Sequence, residues 1–168
     1  MRRVLLTGMS GTGKSMLVGE LAARGFKAVD ADGDEWSKWV PYVPHPDVAE
    51  PNEPENEWVW RADRIRDLLA TEDADQLFMS GCASNMSQFY GQFHHIVLLS
   101  APADVIVERL AARTNNPYGK HPDELARVLG HIATVEPLLR THATHEIDTS
   151  VPVDEVVASI LQLIEGSG

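Results

Sequence analysis

Short apolar runs alternate with longer segments of helical periodicity along most of the chain. The apolar runs predict strands over residues 4–6, 27–29, 76–80, 95–99 and 145–148. The helical periodicity predicts helices over residues 15–23, 57–70, 102–113, 122–139 (with a kink at Pro137) and 152–164. This alternation is typical of parallel β/α units, so we expect an α/β fold with a five-stranded parallel sheet and helices on both faces.

Two segments interrupt the alternation. Residues 41–56 contain five prolines and several acidic residues, which predicts a mobile surface loop and no regular element. Residues 114–121 (TNNPYGKH) form a connection rich in Gly, Pro and Asn between two predicted helices. Residues 166–168 are expected to be a frayed tail.

Composition limits the class of protein and its partners. The 168 residues, 43% of them hydrophobic, suit one globular domain over residues 1–168. The net charge of −11 argues against nucleic acid and anionic membranes as partners. One cysteine, Cys82, excludes an internal disulfide, and the first apolar run is too short for a secretion signal. We therefore expect a cytoplasmic protein that is a monomer or weak homodimer.

The most specific motif is Gly8-Met9-Ser10-Gly11-Thr12-Gly13-Lys14-Ser15, which matches G-x-x-x-x-G-K-[ST] between a predicted strand and a predicted helix. Glycines let several backbone N–H groups converge on a phosphate, and the start of the following helix adds partial positive charge. Lys14 is expected to bind the β- and γ-phosphates, and the Ser15 hydroxyl to bind Mg²⁺. The motif predicts a three-layer P-loop NTPase fold that binds a nucleotide.

A P-loop serves phosphoryl transfer, a switch or a motor. The length leaves little room for the coupling elements of a motor, and the Asn-Lys-x-Asp signature of guanine-reading switches does not occur. The interrupted segments 41–56 and 114–121 suit a substrate-side flap and a short lid, which a kinase uses to exclude water. Two alternatives stay open: a nucleotide-binding regulatory ATPase module, and a nucleoside or nucleotide kinase.

The chain resembles the shikimate kinase branch of the P-loop small-molecule kinases, a group that is similar to adenylate kinase, over nearly its full length. Asp30-Ala31-Asp32 stands where that family has an Asp-x-Asp after its second strand. The resemblance implies that Asp30 helps Ser15 to hold Mg²⁺ and that Asp32 contacts the acceptor hydroxyl and serves as its base. It also implies ATP- and Mg²⁺-dependent transfer of the γ-phosphoryl to a hydroxyl of a small molecule.

The resemblance extends to both substrates. Trp60-Arg61 stands where the family has an aromatic-Arg pair that grips the acceptor, and Ser80-Gly81-Cys82 where it has a Gly-rich turn. Arg113 at the end of the helix before the lid, and the loop 148–152, are expected at the adenine. The residues expected to contact the nucleotide are Gly8, Met9, Ser10, Gly11, Thr12, Gly13, Lys14, Ser15, Met16, Arg109, Arg113, Thr149, Val151 and Pro152.

Departures from the family concentrate on the acceptor side. Asn116 stands where the lid normally has an arginine, so Lys120 is expected to replace it as a catalytic cation beside Lys14 and Asp32. Val135 stands near the position of a second substrate arginine, and it binds no carboxylate; Arg140 is nearby but out of register. We therefore expect an acceptor other than shikimate, larger and more apolar.

Several assignments keep an alternative. Asp32 is either the base or the N-cap of a helix over residues 34–39. Arg61 and Arg64 share one face of a predicted helix, where they either grip substrate or pair with nearby acids. Arg109 either faces the nucleotide or pairs with an acid near the core. Trp36 or Trp39 is expected to touch substrate, as are Asp32, Arg61, Gly81 and Cys82.

Overall fold

The computed structural model describes residues 1–43, 55–114 and 117–166. Over these ranges the strands are β1 (Arg2–Thr7), β2 (Lys27–Asp30), β3 (Ser37–Pro41), β4 (Asn56–Trp60), β5 (Gln76–Ser80), β6 (His95–Ser100) and β7 (His145–Asp148). The helices are α1 (Lys14–Ala23), α2 (Ala62–Ala70), α3 (Ala103–Ala112), α4 (Pro122–Thr134), α5 (Glu136–His142) and α6 (Val153–Gly166), and a 3-10 helix (Met86–Gln92) lies between β5 and β6.

Five strands form a parallel sheet in the order β2-β5-β1-β6-β7. The chain runs from β1 to the edge strand β2, returns through β5, and then crosses to β6 and β7. The direction of winding therefore switches at β1, and ligands of open α/β sheets bind in the crevice at the carboxyl ends of the strands at such a point. The predicted α/β class, with a five-stranded parallel sheet, is confirmed.

Alternate side chains of β1 pack into two apolar cores, one on each face of the sheet. Val4 and Leu6 pack with α1 and α6 residues such as Leu17 and Ile160. Leu5 points to the opposite core, where it joins residues of α2, β4, α5 and the 3-10 helix. All three β1 side chains are fully buried, as expected for a strand covered by helices on both faces. Within the described residues, none of the helices is both long and apolar enough to span a bilayer.

The predicted helix over 57–70 is wrong in its first part. Residues Asn56–Trp60 form β4, which pairs antiparallel with β3, and the helix α2 begins only at Ala62. The sequence Trp58-Val59-Trp60 is aromatic and β-branched, and these side chains favour a paired strand. The pairing extends to Pro41 and Asn56, so the ends of the predicted loop 41–56 belong to this hairpin. The rest of that prediction, residues 44–54, lies outside the described residues.

Other differences are smaller. The predicted helix 122–139 is two helices, α4 and α5, which meet at Val135 just before Pro137, a residue without the N–H that would continue the helical bonding. The 3-10 helix Met86–Gln92 was not predicted, because its polar and glycine residues mask a short apolar spacing. In the lid segment 114–121, residues 115 and 116 lie outside the described residues, as do 167 and 168 of the tail.

Candidate active site

The P-loop connects β1 to α1 at the switch point of the sheet. A Cβ atom on Gly8 would lie 2.4 Å from the backbone oxygen of Leu99, so only glycine fits against β6 there. Gly13 has φ +93°, a left-handed conformation that favours glycine, and it precedes the first residue of α1. No side chain caps α1, so the N–H groups of its first turn face the loop and offer an anion site.

Lys14 is buried, with 9% of its side chain exposed, and its ammonium group turns back into the P-loop. Its Nζ donates hydrogen bonds to the backbone oxygens of Gly8 (2.6 Å) and Met9 (3.1 Å). Asp32 Oδ2 lies 4.0 Å from the same Nζ. Because the close partners are neutral, much of the ammonium's charge remains available to a phosphate.

Ser15 and Asp30 meet where α1 begins and β2 ends. The Ser15 hydroxyl donates to Asp30 Oδ2 at 2.8 Å, and Ser80 Oγ donates to Asp30 Oδ1 at 3.3 Å. Asp30 and Ser80 are register partners on β2 and β5, so the sheet itself sets this contact. Hydroxyl and carboxylate oxygens are the ligands that Mg²⁺ prefers, so this donor set fits the ion. Ser80 was not predicted as part of the metal site, although its position at the end of β5 is readable from the sequence.

Asp32 lies between the P-loop lysine and the turn after β5. Its Oδ1 accepts a hydrogen bond from the Cys82 backbone N–H at 3.0 Å, and about a third of its side chain is exposed (34%). Desolvation raises the pKa of Asp32, and the opposing effects of Lys14 and the Cys82 amide do not cancel it. Residues 31–36 form turns and Ser37 begins β3, so the alternative role of Asp32 as a helix N-cap is excluded.

Trp60 and Gly81 form the floor beside Asp32. Trp60 is 1% exposed, and a Cβ on Gly81 would lie 3.0 Å from its Nε1 and 3.1 Å from its Cζ2. Asn85 holds the Trp60 backbone from the other side: its Oδ1 accepts from the Trp60 N–H (2.8 Å) and its Nδ2 donates to the Trp60 oxygen (3.0 Å). The next residue, Cys82, is half-buried, and burial raises the pKa of its thiol, so it has no nucleophilic character.

Arg61 and Arg64 donate hydrogen bonds to the backbone of the turn that follows Asp32. Arg61 is the residue before α2, where its Nε donates to the backbone oxygen of Asp34 at 3.0 Å. Arg64 lies in the first turn of α2 and donates to the backbone oxygen of Glu35. Trp36, in the same turn, is partly buried and packs on the core that contains Leu5 and Trp60. The structure therefore brings Trp36, Arg61, Gly81 and Cys82 to one side of Asp32.

The other side of the P-loop is tied to the loop after β7. The buried Thr149 hydroxyl donates to the backbone oxygen of Thr12 at 2.7 Å. Arg109 Nη1 donates to Thr149 Oγ1 (3.0 Å) and to the Gly11 oxygen (3.3 Å), and its Nη2 donates to the Thr149 backbone oxygen. These hydrogen bonds of Arg109 go to neutral oxygens, not to an acid, and they place it against the P-loop.

Arg113 and Lys120, the cations expected in the lid, lie at the end of α3. Arg113 follows α3 and donates to the backbone oxygen of Tyr118, and burial lowers its pKa. Lys120 Nζ donates to the backbone oxygen of Ala111 at 2.9 Å. In this arrangement Lys120 binds the carbonyl end of a helix, where a positive charge is favourable. Met16 and Val151 are exposed, at 69% and 41%, on either side of the P-loop.

The remaining acceptor-side residues do not gather at Asp32. Val135 packs against the apolar core. Arg140 binds Glu146 on β7 (2.7 Å) and Glu136 one turn earlier on α5 (3.0 Å). These bonds raise the pKa of Arg140 and lower that of Glu146. Arg140 is thus part of an ion-pair network between α5 and β7.

The strand order, the P-loop and the surrounding helices define the P-loop NTPase fold that is found in kinases of the shikimate and adenylate kinase group. The chain belongs to the AAA domain family, which matches residues 4–130 and so includes the P-loop, Asp30, Asp32 and α3. The matched region ends within α4, before the β7 loop that holds Thr149. None of the curated proteins compared matches the chain significantly in sequence.

Solved structures share the fold at low sequence identity. Shikimate kinase from Acinetobacter baumannii in complex with shikimate is 17% identical, with a TM-score of 0.64, covering 99% of this chain and 94% of that one. Shikimate kinase from Bacteroides thetaiotaomicron is 17% identical, with a TM-score of 0.61 and 98% of both chains covered. A sugar kinase from Janibacter sp. is 17% identical, with a TM-score of 0.55, covering 98% of this chain and 95% of that one. The resemblance to the small-molecule kinases is thereby confirmed for the fold.

Proposed function

We propose that the protein is an ATP- and Mg²⁺-dependent phosphotransferase that moves the γ-phosphoryl group to a hydroxyl of a small molecule other than shikimate. The observation that carries the proposal is the convergence of Lys14, Ser15, Asp30 and Asp32 at one end of the sheet. Ser15 bonds to Asp30 at 2.8 Å, and Lys14 lies 4.0 Å from Asp32. A cation for phosphates, a set of metal ligands and a base therefore meet in one crevice.

Each group of residues has one role in the proposed reaction. The P-loop amides and Lys14 bind the β- and γ-phosphates; Ser15 with Asp30 would hold Mg²⁺, which would supply positive charge to the phosphate oxygens. Asp32 accepts the proton of the acceptor hydroxyl, whose oxygen attacks the γ-phosphorus as the bond to the β-phosphate oxygen breaks. Arg109, Arg113, Thr149, Val151 and Pro152 surround the nucleoside, and Lys120 leaves the Ala111 carbonyl to bind phosphate when the lid closes.

The proposal favours a kinase over a regulatory ATPase module because of Asp32. Its pKa is raised, which makes it a stronger proton acceptor, and such a group next to the P-loop suits removal of a proton from an acceptor hydroxyl. The lid contributes Arg113 and Lys120 among its described residues, fewer cations than a nucleotide kinase normally carries. A small-molecule acceptor with a hydroxyl group is therefore the better fit. We further propose a monomer or weak homodimer without nucleic-acid or membrane partners.

The test measures ADP release from Mg²⁺·ATP with a panel of hydroxylated metabolites. We expect strong stimulation by one class of compound, and a loss of about 10²–10³-fold or more in turnover for Lys14→Ala. Asp32→Asn is expected to lower kcat by about 10²–10⁴-fold while the Kd for Mg²⁺·ATP changes little. Lys38→Ala, a lysine removed from an exposed strand position, is the control for charge loss.

Two results decide against the proposal. A flat panel with slow basal hydrolysis indicates a regulatory ATPase module. Equal losses in kcat and in nucleotide affinity for Asp32→Asn show that Asp32 serves the nucleotide site and not the acceptor. Thermal unfolding of each variant separates both results from misfolding, because Lys14→Ala that unfolds at the wild-type temperature has lost function alone.

A further inference from the structure

Three tryptophans share one face of the β3–β4 hairpin. Opposite residues of an antiparallel pair lie on the same face, and the register pairs Ser37 with Trp60 and Trp39 with Trp58. The Trp60 end of this face is closed by Gly81 and by the backbone oxygen of Ala31, which accepts from Ser37 Oγ. Both contacts lie next to Asp32 in the chain or in space, so the face starts at the proposed base and runs outward.

The outer half of this face is an exposed aromatic pair. The rings of Trp39 and Trp58 have centroids 5.0 Å apart at an interplanar angle of 58°. Trp39 is 66% exposed and Trp58 is half-buried, whereas Trp60 is fully buried. Two residues along a strand span about 7 Å, so the pair lies roughly one ring further from Asp32 than Trp60 does. A contiguous exposed aromatic surface beside a polar site is suited to binding a ligand.

The three arginines considered for an acceptor carboxylate already make hydrogen bonds within the protein. Arg140 binds Glu136 and Glu146, and Arg61 and Arg64 hold the backbone oxygens of residues 34 and 35. Releasing Arg140 would leave two carboxylates without their cation.

The charge next to the base is negative. Asp30 and Asp32 stand at the end of β2, and Asp34 and Glu35 follow in the same turn. Arg61 and Arg64 bind this turn, and Lys14 is committed to the phosphates of the proposed nucleotide, so the four carboxylates outnumber the two remaining cations. An acceptor that carried its own carboxylate or phosphate would therefore meet a net negative charge at Asp32 and would compete with backbone oxygens for Arg61 and Arg64.

We infer that the acceptor is a neutral, polyhydroxylated ring compound, which places one hydroxyl at Asp32 and lays a ring face on the Trp39–Trp58 pair. The inference rests on the proposed function, which it deepens by naming the acceptor class. Aromatic faces bind the apolar face of a ring without demanding charge, while Asp32 and the Cys82 turn supply the polar contacts that orient the hydroxyl.

The test uses pairs of compounds that differ in charge: methyl glucopyranoside and methyl glucuronide, myo-inositol and inositol monophosphate, uridine and uridine monophosphate. Calorimetry without nucleotide measures binding, and ADP release with Mg²⁺·ATP measures turnover. The neutral member of at least one pair is expected to bind and to exceed its anionic partner about tenfold or more in kcat/KM. Trp39→Ala is expected to raise the KM for that compound about tenfold with little change in kcat, and Trp39→Phe to restore it.

Lys38→Ala is the matched control, because Lys38 is exposed on the same strand and on the opposite face, and its KM should stay within about twofold of wild type. The inference is overturned by a preference for the anionic members, by no neutral compound binding, or by an unchanged KM in Trp39→Ala. A Trp39→Ala effect that follows protein concentration assigns the pair to a second copy of the chain and also overturns it. Ring binding by calorimetry without any ADP release keeps the ring site and removes the proposed kinase function.

Discussion

The Thr149→Val substitution tests how the loop after β7 supports the P-loop. Valine has nearly the shape of threonine, so the change removes the hydroxyl and little else. Thr149 is buried, and its hydroxyl donates to the Thr12 oxygen at 2.7 Å while accepting from Arg109 Nη1 at 3.0 Å. The substitution leaves the Thr12 oxygen without this donor and Arg109 with one acceptor fewer.

The expected cost follows from these two bonds. Leaving a buried polar group unsatisfied costs about 1–3 kcal/mol. At this chain length, each kcal/mol lowers Tm by about 2–4 °C. The oxygen and the N–H of a trans peptide point in opposite directions, so anchoring the Thr12 oxygen on Thr149 also turns the Gly13 N–H the other way, toward the anion site. Loosening that peptide should weaken nucleotide binding as well as folding.

Thermal unfolding and calorimetry with Mg²⁺·ATP measure both effects. We expect a lower Tm and a higher Kd for Thr149→Val, with Thr149→Ser close to wild type because it keeps the hydroxyl. Thr141→Val is a matched control, because its hydroxyl makes an exposed bond to Leu138 within α5, away from the P-loop. A Thr149→Val protein with unchanged Kd, or Thr149→Ser behaving like valine, would refute the coupling between the β7 loop and the phosphate site.

Three further substitutions test the site and its packing. Asp32→Asn should be at least as stable as wild type at neutral pH. Folding raises the pKa of Asp32, so the free energy of unfolding of the wild type falls as the pH rises from the unfolded-state pKa through the folded-state pKa. The variant has no such carboxyl group. Its stability advantage, measured by urea unfolding, should therefore disappear toward acid pH. Gly81→Ala places a Cβ 3.0 Å from the indole of the buried Trp60 and should cost about 1–3 kcal/mol in unfolding experiments and raise the acceptor KM. Gly11→Ala combines φ +84° with a Cβ 2.9 Å from Ile106 Cγ2, so calorimetry should show weaker nucleotide binding; an unchanged Kd would contradict the tight packing of the loop on α3.

The parts of the fold that were predictable depend on local signals. The P-loop is recognisable because its glycines, Lys14 and Ser15 are close together in sequence, and β6 because residues 96–99 are all apolar. Asp30 and Asp32 were placed correctly at the end of β2 because parallel strands end at one edge of the sheet. The hairpin was missed because β3 and β4 pair across a long Pro-rich segment, and Trp58, Ile65 and Leu68 also fit the spacing of one helix face.

Side-chain hydrogen bonds between distant elements could not be predicted from the sequence. Thr149 reaches Thr12 across 137 positions, and Ser80 reaches Asp30 across 50. Neither spacing carries a local signal, since both bonds depend on the order of strands in the sheet and on rotamers set by packing. Arg140 shows the same limit, because its position near the substrate arginine of related kinases did not reveal that Glu136 and Glu146 bind it first.

The charges of the site explain why a more stable arrangement of Asp32 and Lys14 would be less suited to the proposed chemistry. Asp32 is held by one amide at 3.0 Å and by a lysine at 4.0 Å, and this support does not offset the desolvation that raises its pKa. A carboxylate fully paired with Lys14 would be more stable but would hold a proton less readily, and it would neutralise the cation that phosphate needs. The longer contact keeps both groups partly unsatisfied in the free protein. In the proposed reaction, a phosphate at Lys14 and a hydroxyl at Asp32 would give each group its own partner, which is the arrangement that in-line transfer between them requires.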